Sequence, residues 1–386
     1  MNLKNSLKKI LSKRVFLPLT LLTTTLLTSI SCIPTISTNP QSTFDTYGPV
    51  AESQLVLFYW ILGAAIFVFV AMTFILLYTV YKFRRKSDDE MPEQTSLDPM
   101  GYHKHKNDSL YPEQIHGNKK LEIAWTILPC IILAIIAVPT VLTIFDNTNS
   151  PDTSSNSVTV DVYAHQWFWE FKYNHPSNET EKITVANEMH IPVGKVININ
   201  LYSDDVIHSF WIPKLAGKVD LMPGNDNTMW LQADKEGVYL GQCAEFCGVA
   251  HALMKFRVIA ESQEDFEKWL LAQSTEAIET IEPQALEGKE IFESRDAGCW
   301  SCHTIRGSSR SKGKTGPDLT HIASRSHIAA GVIENNQQNM TKWIENPNSI
   351  KPGTLMSTNG QVYNDPDKKL TGPEISALVA YLRTLK

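Results

Sequence analysis

Gly241–Phe256 reads Gly-Gln-Cys-Ala-Glu-Phe-Cys-Gly-Val-Ala-His-Ala-Leu-Met-Lys-Phe. Cys243 and Cys247 are four positions apart, His251 follows four later, and Met254 comes three after that. Thiolates and thioethers are soft ligands that select copper, and imidazole suits copper too. Two thiolates on one short loop can bridge two metal ions. That leaves one His for one metal and calls for a second elsewhere. His208, in Asp205-Val-Ile-His-Ser-Phe-Trp-Ile-Pro213, is the best candidate. The same residue types also fit a Cys243–Cys247 disulfide or a zinc site, and spacing alone leaves these open.

A second chemical motif is Cys299-Trp-Ser-Cys-His303. In a Cys-x-x-Cys-His sequence the thiols add to haem vinyl groups and the His becomes an axial iron ligand. A chance dithiol or a zinc half-site is the plainer alternative. Met356 is the candidate sixth ligand. Met340 is its rival, but it stands at helical spacing from Trp343 and Ile344, which suits core packing. His321 and His327 are further rivals, with surface or propionate contacts as their simpler role. His/Met ligation raises the haem potential.

These motifs must be positioned by separate parts of a 386-residue chain, long enough for two or three domains. The net charge of −6 gives no reason to expect a nucleic-acid partner. Residues 1–31 read as an export signal, with Lys4, Lys8, Lys9, Lys13 and Arg14 before an apolar run. Ser31-Cys32 resembles a lipoprotein cleavage site, with Ser29 where such sites usually have Leu. A lipid-modified Cys32 and an ordinary signal peptide both fit.

Leu55–Tyr81 and Leu121–Phe145 are apolar enough to span a bilayer, giving a transmembrane hairpin over 50–148. Lys82, Arg84, Arg85 and Lys86 follow the first span, and Lys119 and Lys120 precede the second. The positive-inside rule puts the intervening loop in the cytoplasm and everything after Phe145 outside. Pro129 and Pro139 fall inside the second span, where neighbouring helices tolerate them. Glu122 is the one acid of that span. It reads either as an interfacial acid or as a functional intramembrane group.

A polar linker, Asp146–Ser157, leads into strand patterns at Val158–Tyr163, Lys195–Leu201 and Val238–Leu240. Their Pro/Gly/Asn turns predict an all-β sandwich. Trp167, Trp169 and Phe171 alternate, so one shared strand face is expected, most simply as core. Residues 261–284 form an acidic, helical connector that Pro283 is expected to break. From 285 to 386 a second module follows, with a helix expected near Leu286–Phe292. A capping box at Thr371–Glu374 opens a terminal helix with Ile375, Leu378, Val379 and Leu382 on one face.

The pattern Cys-x-Glu-x-Cys-x-x-x-His-x-x-Met, with an upstream His-Ser strand, resembles subunit II of the haem-copper cytochrome c oxidases. Phe210 stands where many relatives have Trp. The resemblance implies a two-helix hairpin, a cupredoxin-like Greek-key sandwich over 157–260, and a fused all-α class I cytochrome c domain over 285–386. It implies a binuclear copper (CuA) centre held by His208, Cys243, Cys247, His251, Met254 and the Glu245 carbonyl. It implies covalent haem c at Cys299, Cys302 and His303, and magnesium held partly by the Glu245 side chain at the border with subunit I, with Asp220 as a second acid to watch. Trp167 would be the electron entry, and Glu122 would lie near the mouth of a proton path in subunit I. The implied partners are subunit I and other oxidase subunits, membrane lipid, and an upstream donor such as cytochrome c or quinol–cytochrome c reductase. The implied location is the bacterial cell membrane, with copper and haem domains on the outer face. Subunit I would reduce oxygen to water and move protons. A nitric oxide reductase inlet and a copper-delivery protein are the alternatives, and a quinol oxidase subunit is disfavoured because those relatives lack the copper ligands. Ser357 after Met356, where relatives commonly have Pro, is a departure from the cytochrome pattern.

Overall fold

Two apolar helices account for one of the two compact units of the chain. Helix α1 (Pro49–Phe83) and helix α2 (Lys119–Thr148) carry large side chains exposed all round, among them Phe69, Phe74, Leu133 and Ile135. A helix apolar on every face has no water-facing side, which fits lipid rather than solvent. At 35 residues α1 is about 50 Å long, well beyond a hydrocarbon core of ~30 Å. Both helices outrun the apolar stretches read from sequence, because polar first and last turns continue the helical hydrogen bonding. Within this unit Tyr59, Trp60 and Gly63 share a groove with Ile132 and Ile135. Short strands β1 (Gln94–Leu97) and β2 (His103–His105) pair between the helices.

The computed structural model describes residues 39–84, 94–97, 103–105, 117–151 and 157–386. The expected export signal and Cys32 lie outside the described residues, as do Arg85, Lys86 and part of the 146–157 linker.

The second unit spans residues up to Leu55 and from Phe145 onward. Its first half is a sandwich of two five-stranded sheets. One sheet holds β3 (Val158–His165), β4 (Phe168–His175), β5 (Asn178–Ala186), β7 (Ile197–Ser203) and β10 (Asn227–Leu231). The other holds β6 (Glu188–Pro192), β8 (His208–Trp211), β9 (Val219–Leu221), β11 (Gly237–Cys243) and β12 (Lys255–Glu261). Neighbouring strands run antiparallel except β3 with β7 and β6 with β12. Alternating burial along β3 and β7 turns Val160, Val162, Ile197, Ile199 and Leu201 inward. Trp169, Phe171, Phe210 and Phe256 form the aromatic centre, with Phe210 and Phe256 stacked at 4.5 Å.

Two expectations need correction. Trp167 does not share the strand face of Trp169 and Phe171. It sits in the turn between β3 and β4, half-buried, while Trp169 and Phe171 are fully buried. The connector is not one helix broken by Pro283. Helix α3 (Gln263–Ser274) is capped by the Ser262 hydroxyl and ends before an extended stretch. It packs back on the sandwich, where Trp269 stacks on His190 at 4.0 Å. Pro283 instead opens helix α4 (Pro283–Glu293) at its first turn, where a missing N–H costs nothing.

The second half is helical around a smaller core. After α4 come α5 (Cys299–Cys302), α6 (Gln337–Glu345), α7 (Pro347–Ile350), α8 (Leu355–Asn359), α9 (Gln361–Asn364) and α10 (Gly372–Leu382). A minimal antiparallel pair, β13 (His327–Ile328) with β14 (Ile333–Glu334), adds to the all-α pattern expected. The capping box forms as read: Thr371 Oγ1 accepts from Glu374 N, and Glu374 Oε2 accepts from Thr371 N at 2.7 Å. Helices α4 and α10 cross closely at Gly288, where a Cβ would stand 2.0 Å from the Ala377 carbonyl.

The two halves are hydrogen-bonded to each other. Buried Glu188 accepts from the backbone N–H groups of Ser326 and His327, both at 3.0 Å. Arg257 Nη1 donates to Gly331 O at 3.0 Å, and Lys255 N donates to Ala330 O at 3.2 Å.

Candidate copper and haem sites

The sandwich brings the soft donors together at one end. His208 opens β8 and Cys243 closes β11, and the two strands pair with Cys243 opposite Phe210. The loop after β11 then folds back so that Cys243 N donates to Met254 O at 3.0 Å and Ala244 N donates to Ser209 O at 2.9 Å. This return places Cys243 Sγ 3.8 Å from Cys247 Sγ, with both thiols free and buried. One donor atom each from His208, Cys243 and Cys247 lie within 4.8 Å of one another. His208 Nδ1 is 3.8 Å from the Cys243 sulfur, and His251 Nδ1 is 3.6 Å from the Cys247 sulfur. Met254 Sδ approaches Cys247 at 3.9 Å, and the Glu245 carbonyl lies 3.2 Å from Cys243 Sγ. Each thiol therefore has its own imidazole on its outer side. His208, Cys243 and Cys247 are close enough to hold one ion, and His251 and Met254 add further soft donors on the Cys247 side.

The electrostatics follow. Hydrogen bonding from Cys247 holds the Cys243 thiol far below its ordinary value, and His208 adds to it. The same pairing, reinforced by burial, pushes Cys247 up. Asp205 was missed in the sequence reading. Its Oδ1 lies 2.8 Å from His208 Nε2, so that nitrogen carries the proton and Nδ1 faces the Cys243 sulfur. Burial alone would raise Asp205, but hydrogen bonds from His208, Val206 N and Gln166 N outweigh it and hold the carboxyl below the usual range. Burial opposes charge on His208 too, yet Asp205 and Cys243 raise it overall. An acid three residues before a ligand His was the signal available.

Two more residues touch this loop. Gln166 Nε2 and Trp167 Nε1 both donate to the Cys247 carbonyl, at 2.7 and 3.0 Å. Phe246 and Val249 stand exposed on the outer rim. The Glu245 carboxylate is on that exposed rim, and among the described residues no second acid joins it in a metal-binding cluster. Asp220 lies on β9, with its carbonyl taking Asn227 Nδ2 at 2.7 Å.

The helical half surrounds an apolar cavity. Cys299, Cys302 and His303 line it, as do Met340, Met356 and Trp167. His303 Nδ1 is 2.8 Å from Pro317 O, a carbonyl that can only accept. The ring therefore carries its proton on Nδ1 and leaves Nε2 free as a donor to a metal. Burial lowers the His303 pKa and keeps the imidazole neutral, as ligation requires. Gly316 lies against the ring: a Cβ there would meet His303 Cε1 at 2.6 Å. Burial likewise pushes Cys299 up to about 12. The donor set and the apolar walls fit a covalent haem. Met340 is buried on α6 and Met356 half-buried on α8. His321 is engaged at both nitrogens by the carbonyls of Lys386 and Thr275, at 2.7 and 3.1 Å, which removes it as an iron ligand.

Glu122 lies in the first turn of α2, where the helix dipole favours an acid, and Asn118 Oδ1 caps the same turn.

A membrane hairpin, a sandwich with a cluster of soft donors, and a Cys-x-x-Cys-His cavity define a membrane-bound redox protein that binds copper and haem. Family models match at three places. Residues 97–142 match the transmembrane domain of cytochrome c oxidase subunit II, 158–261 its periplasmic domain, and 285–386 cytochrome c. The chain is 39% identical over 288 residues to cytochrome c oxidase subunit 2 of Alkalihalophilus pseudofirmus, covering 74% of this chain and 79% of that one. It is 37% identical over 290 residues to cytochrome c oxidase subunit 2 of Bacillus sp. PS3, covering 71% and 77%. Quinol oxidase subunit 2 of Bacillus cereus is 35% identical over 234 residues, covering 60% and 70%. The chain belongs to the cytochrome c oxidase subunit II family.

Proposed function

We propose that this chain is the electron inlet of a respiratory terminal oxidase and carries both relay centres itself. Cys299 and Cys302 would anchor a haem c, and His303 and Met356 would bind its iron. His208, Cys243, Cys247, His251, Met254 and the Glu245 carbonyl hold a binuclear copper centre. Trp167 would lie between the two groups as the electron entry, and a haem in subunit I would be the acceptor. That subunit reduces oxygen to water and couples the reaction to proton translocation. The bound groups supply one-electron redox chemistry; the chain's residues fix their ligands, exclude water and set the distance between them.

The observation that carries this reading is the placement of Trp167. Its indole N–H donates to the Cys247 carbonyl at 3.0 Å, and its ring also lines the haem cavity. One side chain thus touches both sites. The finer assignments belong to the same proposal. The Glu245 carboxylate completes a magnesium site only with groups from subunit I. Glu122 marks the mouth of a proton path in that partner. The two sites face the outside of a bacterial cell membrane, the apolar helices meet lipid, and cytochrome c or quinol–cytochrome c reductase supplies electrons.

Metal and haem content with electron-spin resonance on the purified complex test this. We expect two coppers and one covalent haem on this chain, with the unpaired spin shared by two copper nuclei. A single zinc, or a Cys243–Cys247 disulfide after copper loading, would overturn the copper assignment. Met356→His should lower the haem potential and abolish the sulfur-to-iron absorption band. If Met340→Leu does so instead, Met340 is the ligand.

A further inference from the structure

Lys351 begins as an anomaly of burial. Its side chain is only 3% exposed, and lysine is among the residues least often buried without a partner. It follows α7 and lines the haem cavity together with Trp167, His303 and Met356. Its Nζ donates to the main-chain carbonyl of Trp167, across the junction between the helical half and the sandwich. Among the described residues no carboxylate lies within ion-pair distance of it.

An ammonium group has three donors. One is taken by the Trp167 carbonyl. A buried cation without an anion is strongly unfavourable, and burial pushes Lys351 down to about 7, with only the Cys247 sulfur acting against it. The group that fills this cavity under the reading above brings its own anions. A haem joined to protein through its vinyl groups keeps two carboxylates. The cavity offers them few other cations: Arg325 also lines it, and with only one of its donors on the Asp318 carbonyl it can take the second carboxylate.

We propose that Lys351 is the binding residue for a haem carboxylate, and that it ties this carboxylate to the Trp167 main chain. The bridge positions the anionic edge of the haem against the residue whose indole N–H meets the Cys247 carbonyl. Lys351 is thus a positioning residue for haem-to-copper transfer as well as a cofactor contact. This inference rests on the haem reading given above.

The test uses the intact oxidase complex, with haem and copper content measured on every variant. Lys351→Met removes the charge at similar volume; Lys351→Gln keeps a donor for the Trp167 carbonyl without the charge; Lys351→Arg keeps both. A nearby cation favours the reduced haem. The midpoint potential should therefore fall in the Met and Gln variants and stay close to wild type in Arg. Haem-to-copper transfer should slow in Met and Gln while both cofactors remain fully loaded. A folded Met or Gln variant with unchanged potential and unchanged transfer overturns the assignment. Loss of haem from Met, Gln and Arg alike also overturns it, because that outcome marks a folding role. A wild-type protein that holds no covalent haem would sink the underlying function instead, which keeps the two failures apart.

Discussion

The two halves of the large unit hold their sites in different ways. In the sandwich the donors hang from strands already hydrogen-bonded to their neighbours. His208 and Cys243 are fixed by β8–β11 pairing, and the loop is closed by bonds such as Cys243 N to Met254 O. The aromatic core beneath them, Trp169, Phe171, Phe210 and Phe256, is complete without any cofactor. In the helical half the core is smaller, and Cys299, Cys302 and His303 face a cavity instead of packed side chains. Met340, Leu378 and Leu382 each turn one side to that cavity. The cluster of soft donors is held by the fold alone, whereas a haem would complete the interior of the half that receives it. Removing each cofactor should therefore have unequal structural consequences.

The largest expected effect follows directly. Replacing Cys299 and Cys302 by Ala prevents covalent attachment and leaves the cavity walls unfilled. We expect loss of helical signal from the 285–386 region by circular dichroism, while copper content and the β signal persist. Equal loss from both halves would break the comparison.

Trp167→Ala sharpens it at the junction. Because Trp167 is half-buried in a turn and its neighbours Trp169 and Phe171 form the core, copper content should stay close to wild type. Haem-to-copper transfer should slow strongly. Were Trp167 a core residue, truncation would cost ~3–5 kcal/mol and the domain would lose copper. Transfer rate, copper content and melting temperature on the same variant separate the two.

Gly288→Val should act on the helical half alone. The added side chain must displace the Ala377 carbonyl, 2.0 Å from the first new carbon, and overpacking of this kind costs roughly 1–3 kcal/mol. The melting transition of the haem region should fall, with the copper signal unaffected.

The smallest expected effect is at the terminal helix. Thr371→Ala removes a cap worth about 1 kcal/mol. The Thr371 N–H and hydroxyl hold the Glu374 carboxyl below its usual range. A carboxyl depressed in the folded state contributes stability above its unfolded pKa of ~4.3 and loses it as pH falls through the folded value. The difference between variant and wild type should therefore shrink in acid.

Much of this architecture is legible in the residues themselves. The Cys243–Met254 spacing and the Cys299–His303 motif stand within short stretches, so local sequence displays them. The capping box at Thr371–Glu374 is local as well. What escaped reading depends on chain segments far apart. Lys351 meets Trp167 only once the haem region lies on the sandwich. Gly316 matters because the His303 ring lies against it. Alternation put Trp167 on a strand with Trp169, but the β3–β4 turn begins one residue too late for that. Pro283 was read as a breaker because its ring disfavours helix interiors, though the same ring suits a first turn.

Under the proposed function, electrons move from haem to copper within one chain. Photochemical reduction of the haem in the intact complex, followed at the haem and copper absorption bands together, tests it most directly. Haem reoxidation and copper reduction should proceed at one rate, first order and independent of protein concentration. Copper filling while the haem stays reduced, or a rate that rises with added free donor, would contradict it.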